Sequence, residues 1–191
     1  MGSRAEGPAV HHLIVPGISG SGDEHWQTLW QDAWGSAASR ISPSSWDNPD
    51  LGDWCRALDR AAQPHGPGPV VLVAHSLGCL AAARWLRDRR PAVRGAFLVA
   101  PPDATGPSFP AAAAASFITS DLAPIGVPGL VVSSDNDPYC TPRAAQRLAR
   151  GWAVGHVSVG LAGHVNAASG LGAWRSGQAL LGAFLAGLGH S

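Results

Sequence analysis

Three kinds of side chain with catalytic potential follow apolar segments of this chain. Ser76 comes directly after the run at residues 70–75, Asp135 and Asp137 follow a second run, and His164 lies between glycine and valine near the last one. A serine hydroxyl is a weak nucleophile until a neutral imidazole accepts its proton, and the imidazole needs a carboxylate to fix its tautomer. The chain order serine, aspartate, histidine therefore predicts nucleophilic acyl transfer.

The sequence around Ser76 predicts a sharp strand-to-helix turn. Four consecutive apolar residues (70–73) read as a buried strand, and residues 80–86 have helical spacing. Small residues stand two positions on either side of the serine, at Ala74 and Gly78. This pattern matches the nucleophile elbow G-x-S-x-G, with alanine in its first position.

The acid and the base differ in how well the sequence defines them. Asp135 and Asp137 both follow the same strand; Asp137 is preferred because Pro138 fixes the loop exit, whereas Asp135 is expected to brace the turn. His164 is the preferred base, because its competitor His190 lies at the chain end.

An oxyanion hole would use two backbone N–H groups. One belongs to Leu77, after the nucleophile, and the other to the loop after the first strand. Ile18 is the first candidate there and Ser19 the second, since Gly17 permits close approach of the backbone. His25 is expected to line the pocket, with a purely structural role as the alternative.

The acyl pocket is the least defined part of the prediction. His75, next to the nucleophile, is expected to line it. Residues 103–127 form a long irregular stretch, with Phe109, an alanine run and Phe117. We expect either that this segment forms the pocket wall and accepts a short apolar acyl group, or that it is a surface loop without substrate contact.

Apolar runs alternate with helical segments along the whole chain. This alternation predicts an α/β fold, with a mostly parallel sheet of about six strands and helices on both faces. Ligands of such sheets bind at the carboxyl ends of the strands. A stripe of tryptophans at residues 26, 30 and 34 predicts core packing of the first helix. The expected strands are 10–15, 40–43, 70–73, 95–100, 127–133 and 154–159.

Composition limits the class of protein. The 191 residues are 46% hydrophobic and 14% charged, which indicates one compact domain, expected at 8–190 after a flexible leader at 1–7. A net charge of zero argues against a nucleic-acid or anionic-membrane partner. Lysine is absent, which excludes a Schiff-base lysine, a phosphate-loop lysine and a Ser-Lys dyad.

The cysteines and the apolar segments suggest neither a cofactor nor a membrane anchor. Cys55, Cys79 and Cys140 form neither a disulfide framework nor a zinc pattern, so no metal or other cofactor is expected. No apolar run reaches membrane-spanning length and no signal pattern is present, which favours a cytoplasmic protein. A monomer or a small homo-oligomer is expected.

Seven short motifs lie along residues 10–188. They are residues 15–17 (VPG), 25–27 (HWQ), 46–49 (WDNP), 74–78 (AHSLG), 134–138 (SDNDP), 163–166 (GHVN) and 169–172 (SGLG). Together they resemble the small serine hydrolases of the family that contains retinoblastoma-binding protein 9, in particular its bacterial members. The resemblance implies a compact three-layer α/β-hydrolase fold without a large cap domain, and a triad of Ser76, Asp137 and His164. It also implies hydrolysis of small carboxylic esters or related acyl bonds, including thioesters or amides.

The expected partner is thus a small-molecule acyl ester, and two alternatives stay open. The first is a non-enzymatic interaction module on the same fold. The second is an aminoacyl-ester or peptide hydrolase, which would need a carboxylate near the pocket to hold the substrate amine. Asp23, Asp103 and Asp121 are the candidates for that anchor.

Overall fold

A parallel sheet lies at the centre of the computed structural model, which describes residues 10–65, 70–119 and 122–188. Within these residues the sheet has six strands in the order β2-β1-β3-β4-β5-β6. The expected parallel sheet is therefore confirmed, whereas the leader at 1–7, Asp121 and His190 lie outside the described residues. The strands are β1 (His11–Val15), β2 (Ala38–Arg40), β3 (Val70–His75), β4 (Gly95–Val99), β5 (Gly129–Ser133) and β6 (Gly155–Ser158).

Helices cover both faces of the sheet. They are α1 (Trp26–Trp34), α2 (Leu51–Ala62), α3 (Leu77–Arg89), α4 (Pro142–Trp152) and α5 (Arg175–Leu188). Alternate strand residues point to opposite faces, and they pack into two separate cores. Leu72 belongs to the core formed with α2, α3 and α4, and Val73 to the core formed with α1 and α5. The three-layer α/β fold is confirmed.

The helix boundaries have local causes. Asp50 caps α2, because its carboxylate accepts a hydrogen bond from the backbone N–H of Asp53. His25 caps α1 by accepting a hydrogen bond from the N–H of Gln27, so this helix begins at residue 26. Helix α5 begins at Arg175, because Trp174 has a φ of +39°. That backbone conformation cannot belong to a right-handed helix.

The tryptophan stripe packs as expected over most of its length. Trp26 and Trp30 are buried in the α1–α5 core, while Trp34 is half-buried and stacks on His12. The second strand is 38–40 rather than 40–43. Among the described residues of 103–127, the only helical turn is Ala115–Phe117, so no cap domain forms there. No helix in the described part of the chain is long and apolar enough to cross a membrane.

Candidate active site

Ser76 occupies a strained turn between β3 and α3. Its φ is +52° and its ψ −127°, a conformation that non-glycine residues rarely adopt outside functional sites. A Cβ atom at Gly78 would collide with the carbonyl oxygens of Val15 and Pro16, and one at Gly17 would lie 2.8 Å from the Ser76 Cβ. Glycine is thus required at positions 78 and 17, because the chain at the end of β1 lies against the start of α3.

His164 lies between Ser76 and Asp137. Its Nε2 is 2.8 Å from the Ser76 Oγ, and its Nδ1 is 2.9 Å from each carboxylate oxygen of Asp137. Because a carboxylate only accepts hydrogen bonds, Nδ1 carries the hydrogen and Nε2 presents a lone pair to the serine hydroxyl. The Asp137 side chain is 1% exposed, so water does not compete for the imidazole.

The two candidate acids occupy different places. Asp137 contacts His164, and its Oδ1 also accepts a hydrogen bond from the N–H of Tyr139. Asp135 is exposed and accepts a hydrogen bond from the Ser158 hydroxyl at 2.6 Å. It braces the loop beyond β5, which is the structural role expected for the aspartate that does not meet the histidine.

The loop after β1 brings the backbone of Ile18 to the same cleft. The N–H of Ser19 donates to the carbonyl of Trp46 at 3.1 Å, and the N–H of Gly20 donates to that of Gly17. The Ser19 hydroxyl donates to Asp47. These bonds use the Ser19 amide, so Ile18 is the better placed of the two candidate donors. They also explain the Trp-Asp motif as a brace for this loop.

A cleft of about 580 Å³ opens above Ser76. His25 and His75, the predicted pocket residues, are among the residues that line it, as are Leu77 and Ile18, the predicted oxyanion-hole donors. No aspartate, glutamate or arginine is among the described residues that line this cleft. The remaining lining residues are Gly17, Ser19, Gly20, Gly22, Pro102, Pro110, Tyr139, His164, Asn166, Ala167 and Ala168.

Phe109 and Phe117 do not line the cleft, and this placement corrects the expectation from the sequence. Both are buried in the core on the α2–α4 side of the sheet. Phe117 also borders a separate cavity of about 260 Å³ between α3 and α4. Among the described residues of 103–127, only Pro110 lines the cleft, because the phenyl rings bury more apolar surface when they pack against the helices.

The two pocket histidines are neutral and each has a structural bond. Burial lowers the pKa of His25 to about 4, and its Nδ1 accepts the α1 capping bond. Burial also holds the pKa of His75 well below its usual value. The Nε2 of His75 lies 2.9 Å from the carbonyl oxygen of His164.

A second serine–histidine contact lies at the edge of the sheet. The Ser133 Oγ is 2.8 Å from the Nε2 of His156, and the nearby Asp135 contacts Ser158 rather than the imidazole. Ser133 is 3% exposed and pairs with β6 in the strand ladder. None of Ser133, His156 and Asp135 lines the cleft above Ser76.

Other residues of the site carry no catalytic signal in the sequence. The Gln27 side chain is fully buried, and its amide N–H group donates to the carbonyls of Val73 in β3 and Val15 in β1. In the sequence, the one sign of this role is the position of the polar Gln27 between Trp26 and Trp30 of an amphipathic helix. Trp26 and Asn136 bond to the loop that carries His164.

Known proteins that are similar to this chain are described as hydrolases, in agreement with the arrangement of Ser76, His164 and Asp137. The sequence profile of the family described as Serine hydrolase matches residues 12–183. A protein of Pectobacterium atrosepticum described as a YdeN-like hydrolase is 33% identical, with a TM-score of 0.81 over 94% of this chain and 92% of its own. The ydeN gene product of B. subtilis is 23% identical, with a TM-score of 0.70 over 93% and 100%. No curated protein matches the chain.

A more distant structure shares the fold alone. A thermophilic esterase from Thermogutta terrifontis is 17% identical, with a TM-score of 0.67 over 95% of this chain and 91% of its own. The profile match, by contrast, covers nearly the whole described chain, including the elbow at Ser76 and the loop of His164. The chain belongs to the serine hydrolase family, within the α/β-hydrolase superfamily.

Proposed function

We propose that this protein hydrolyses small, uncharged carboxylic esters through an acyl-enzyme intermediate. Ser76 is the nucleophile, His164 the general base and acid, and Asp137 the residue that orients His164. The observation that carries this proposal is the continuous hydrogen-bonded path from the Asp137 carboxylate through His164 to the Ser76 hydroxyl, with distances of 2.9 and 2.8 Å.

The reaction proceeds in two halves. The Ser76 oxygen attacks the ester carbonyl carbon while the Nε2 of His164 accepts the hydroxyl proton. The tetrahedral intermediate then expels the alcohol, which takes that proton from His164, and the acyl group stays on Ser76. Water repeats the sequence, releasing the carboxylic acid and restoring the serine. The Asp137 carboxylate stabilises the imidazolium that forms in each half.

Two backbone N–H groups are suited to hold the negatively charged oxygen. Leu77 is the first residue of α3, and N–H groups of the first helical turn have no acceptor inside the helix. Ile18 supplies the second, since its neighbour Ser19 already donates to the Trp46 carbonyl. The partial positive charge at the start of α3 adds to the stabilisation of the oxyanion.

The lining of the cleft favours an uncharged substrate. Ile18, Pro102, Pro110 and Tyr139 supply apolar surface. Burial lowers the pKa of two histidines that line the cleft, His25 and His75, and so holds them neutral. A charged group placed there would lose water without gaining an opposite charge. A volume of about 580 Å³ fits a small ester rather than a polymer.

The aminoacyl-ester alternative has less support. Asp103 forms an ion pair with Arg147 at 2.8 Å and borders the separate cavity, while Asp23 is exposed and does not line the cleft. Asp121, the third candidate, lies outside the described residues. A substrate ammonium group would therefore meet no carboxylate among the described residues of the cleft.

Steady-state hydrolysis of p-nitrophenyl esters from acetate to octanoate tests the proposal. Replacing Ser76 by alanine is expected to lower kcat by about 10⁶-fold, the loss typical of removing a triad nucleophile. Ser133→Ala is the matched control and should retain wild-type kcat, because its contact with His156 lies outside the cleft. An S-acyl thioester and an anilide of the best acyl group then rank the leaving groups.

The outcomes separate the alternatives. Activity in the wild type that survives in Ser76→Ala would contradict the assigned nucleophile. Activity absent from the wild type across the whole series would favour the non-enzymatic interaction module. A preference for aminoacyl esters over their uncharged counterparts would favour the alternative of an aminoacyl-ester or peptide hydrolase, in which a carboxylate holds the substrate amine.

A further inference from the structure

The backbone on both sides of His164 is in the left-handed region. Gly163 has a φ of +56° and Val165 a φ of +49°. The left-handed region suits glycine, but it is costly for a β-branched residue such as valine, and it persists only where surrounding contacts impose it. The loop therefore needs external bonds to present its imidazole to Ser76.

Two of those bonds flank the histidine. The N–H of Gly163 donates to the Asn136 Oδ1 at 2.8 Å, and the Trp26 indole N–H donates to the carbonyl of Val165 at 2.8 Å. Trp26 is 1% exposed and Val165 fully buried, so water does not replace the indole. Each bond holds one residue next to His164, whereas the carbonyl of His164 itself has another partner.

That partner is His75. Its Nε2 lies 2.9 Å from the His164 carbonyl oxygen, and because a carbonyl only accepts, Nε2 carries the hydrogen. His75 is 4% exposed, and its ring meets that of Trp26 edge-on, with centroids 6.0 Å apart and an interplanar angle of 89°. The imidazole is thus held in one orientation with its donor directed at the loop.

The position of His75 in the chain gives this bond a particular consequence. His75 is the last residue of β3 and immediately precedes Ser76. One short segment therefore sets the position of the serine oxygen and also ties down the backbone of the residue that accepts its proton. The bond from His75 therefore links the nucleophile and the base directly, through two adjacent residues, in addition to the bonds from Asn136 and Trp26.

We propose that His75 is a positioning residue, whose Nε2–H holds the His164 carbonyl and so keeps the His164 imidazole in line with the Ser76 hydroxyl. This inference rests on the proposed function, because it assigns His75 a part in the proton transfer between Ser76 and His164. It gives the histidine of the Ala-His-Ser-Leu-Gly motif a role other than substrate contact.

Substitutions that keep or remove the donor test this role. His75→Leu fills similar space without a donor, whereas His75→Gln carries an amide N–H at comparable reach. We expect His75→Leu to lower kcat for the best p-nitrophenyl ester by about 10- to 100-fold, in line with the loss caused by misplacing a catalytic group by about 1 Å. KM should stay close to the wild-type value, and His75→Gln should recover most of the lost kcat.

A third variant protects the test against a folding defect. His75→Asn carries the same amide as glutamine on a side chain one methylene shorter, so it cannot reach the carbonyl and should behave as His75→Leu does. Thermal unfolding of each variant verifies that the assayed protein is folded. If His75→Leu does not fold, the comparison of kcat between His75→Asn and His75→Gln alone tests whether the donor positions His164.

The results that overturn the inference are distinct from those that overturn the proposed function. Wild-type kcat in His75→Leu or His75→Asn would show that the bond to His164 does not position the base. Equal losses in the Gln and Asn variants would assign the effect to packing rather than to the donor. A raised KM with unchanged kcat would make His75 a substrate contact. Ser76→Ala, assayed in parallel, reports on the proposed function independently of all three.

Discussion

Replacing Asp137 by asparagine should nearly abolish turnover while leaving the fold intact. In the native site both carboxylate oxygens lie 2.9 Å from the Nδ1 of His164, and Oδ1 also accepts the N–H of Tyr139. In Asp137→Asn the amide oxygen is held by that N–H, which turns the amide NH₂ group toward Nδ1. The imidazole then carries its hydrogen on Nε2 and faces the Ser76 hydroxyl with a donor instead of a lone pair.

The expected loss follows from this reversed tautomer. A base in the wrong tautomer lowers kcat by about 10⁴-fold in triad hydrolases, which corresponds to about 5.4 kcal/mol of transition-state stabilisation. Because the Asp137 side chain is 1% exposed, solvent does not restore the correct tautomer. The assay is steady-state hydrolysis of the best p-nitrophenyl ester, with thermal unfolding as the check on folding.

Asp135→Asn is the matched control, two residues away on the same loop. Its carboxylate contacts Ser158 rather than His164, so kcat should stay within a few-fold of the wild type, as for surface positions outside the site. A kcat for Asp137→Asn within about tenfold of the wild type would refute the reasoning, since a reversed tautomer costs far more. Equal losses in the two variants would refute it as well.

Three further predictions concern the elbow, the buried histidines and the cysteines. Gly78→Ala should lower the free energy of unfolding by about 1–3 kcal/mol in urea titrations, because its Cβ would collide with backbone oxygens of Val15 and Pro16 that cannot move aside; an unchanged midpoint would contradict this contact. His25, whose pKa falls from 6.5 to about 4 on folding, binds its proton more readily in the unfolded chain, so stability should be lost as the pH falls from 6.5 toward 4, by about 3 kcal/mol from this group. His25→Asn keeps a capping acceptor and should flatten that pH dependence; an equally steep loss would refute the assignment. Cys79 is fully buried and its pKa is raised by burial, so native protein treated with iodoacetamide at pH 8 should keep both its activity and an unmodified Cys79, as read by mass spectrometry.

The sheet and the elbow were predictable because their signals are local. The run at 70–73 is apolar and β-branched, and small residues at Ala74 and Gly78 flank the serine. The strand order was not predictable in the same way, because it depends on pairing between distant segments. The register that joins Val15 to Ala74, for example, connects residues on either side of two intervening helices.

The choice between the two aspartates shows where local reasoning reaches its limit. Asp135 and Asp137 are two residues apart, and the fixed φ of Pro138 favoured the second. The path of the loop decides which carboxylate meets His164, and that path depends on the backbone bond from Asp135 to Gly160 beyond β6. No pattern within the segment itself contains this contact.

Phe109 and Phe117 failed as pocket residues for a related reason. Their residue type indicates burial, but an irregular segment has no periodicity from which to infer the direction of a side chain. The bonds of His75 and Trp26 were missed because they join residues 89 and 139 positions apart in the chain. Trp26 was correctly predicted as a core residue, and its indole N–H is the part of the side chain that serves the site.

Labelling with a fluorophosphonate, followed by peptide mass spectrometry, tests directly whether Ser76 is an activated nucleophile, because the reagent bonds covalently to an activated serine oxygen. We predict one adduct per chain, located on Ser76, which persists in Ser133→Ala and disappears in Ser76→Ala. An adduct on Ser133, or an unlabelled wild-type protein, would contradict the claim that His164 and Asp137 activate Ser76.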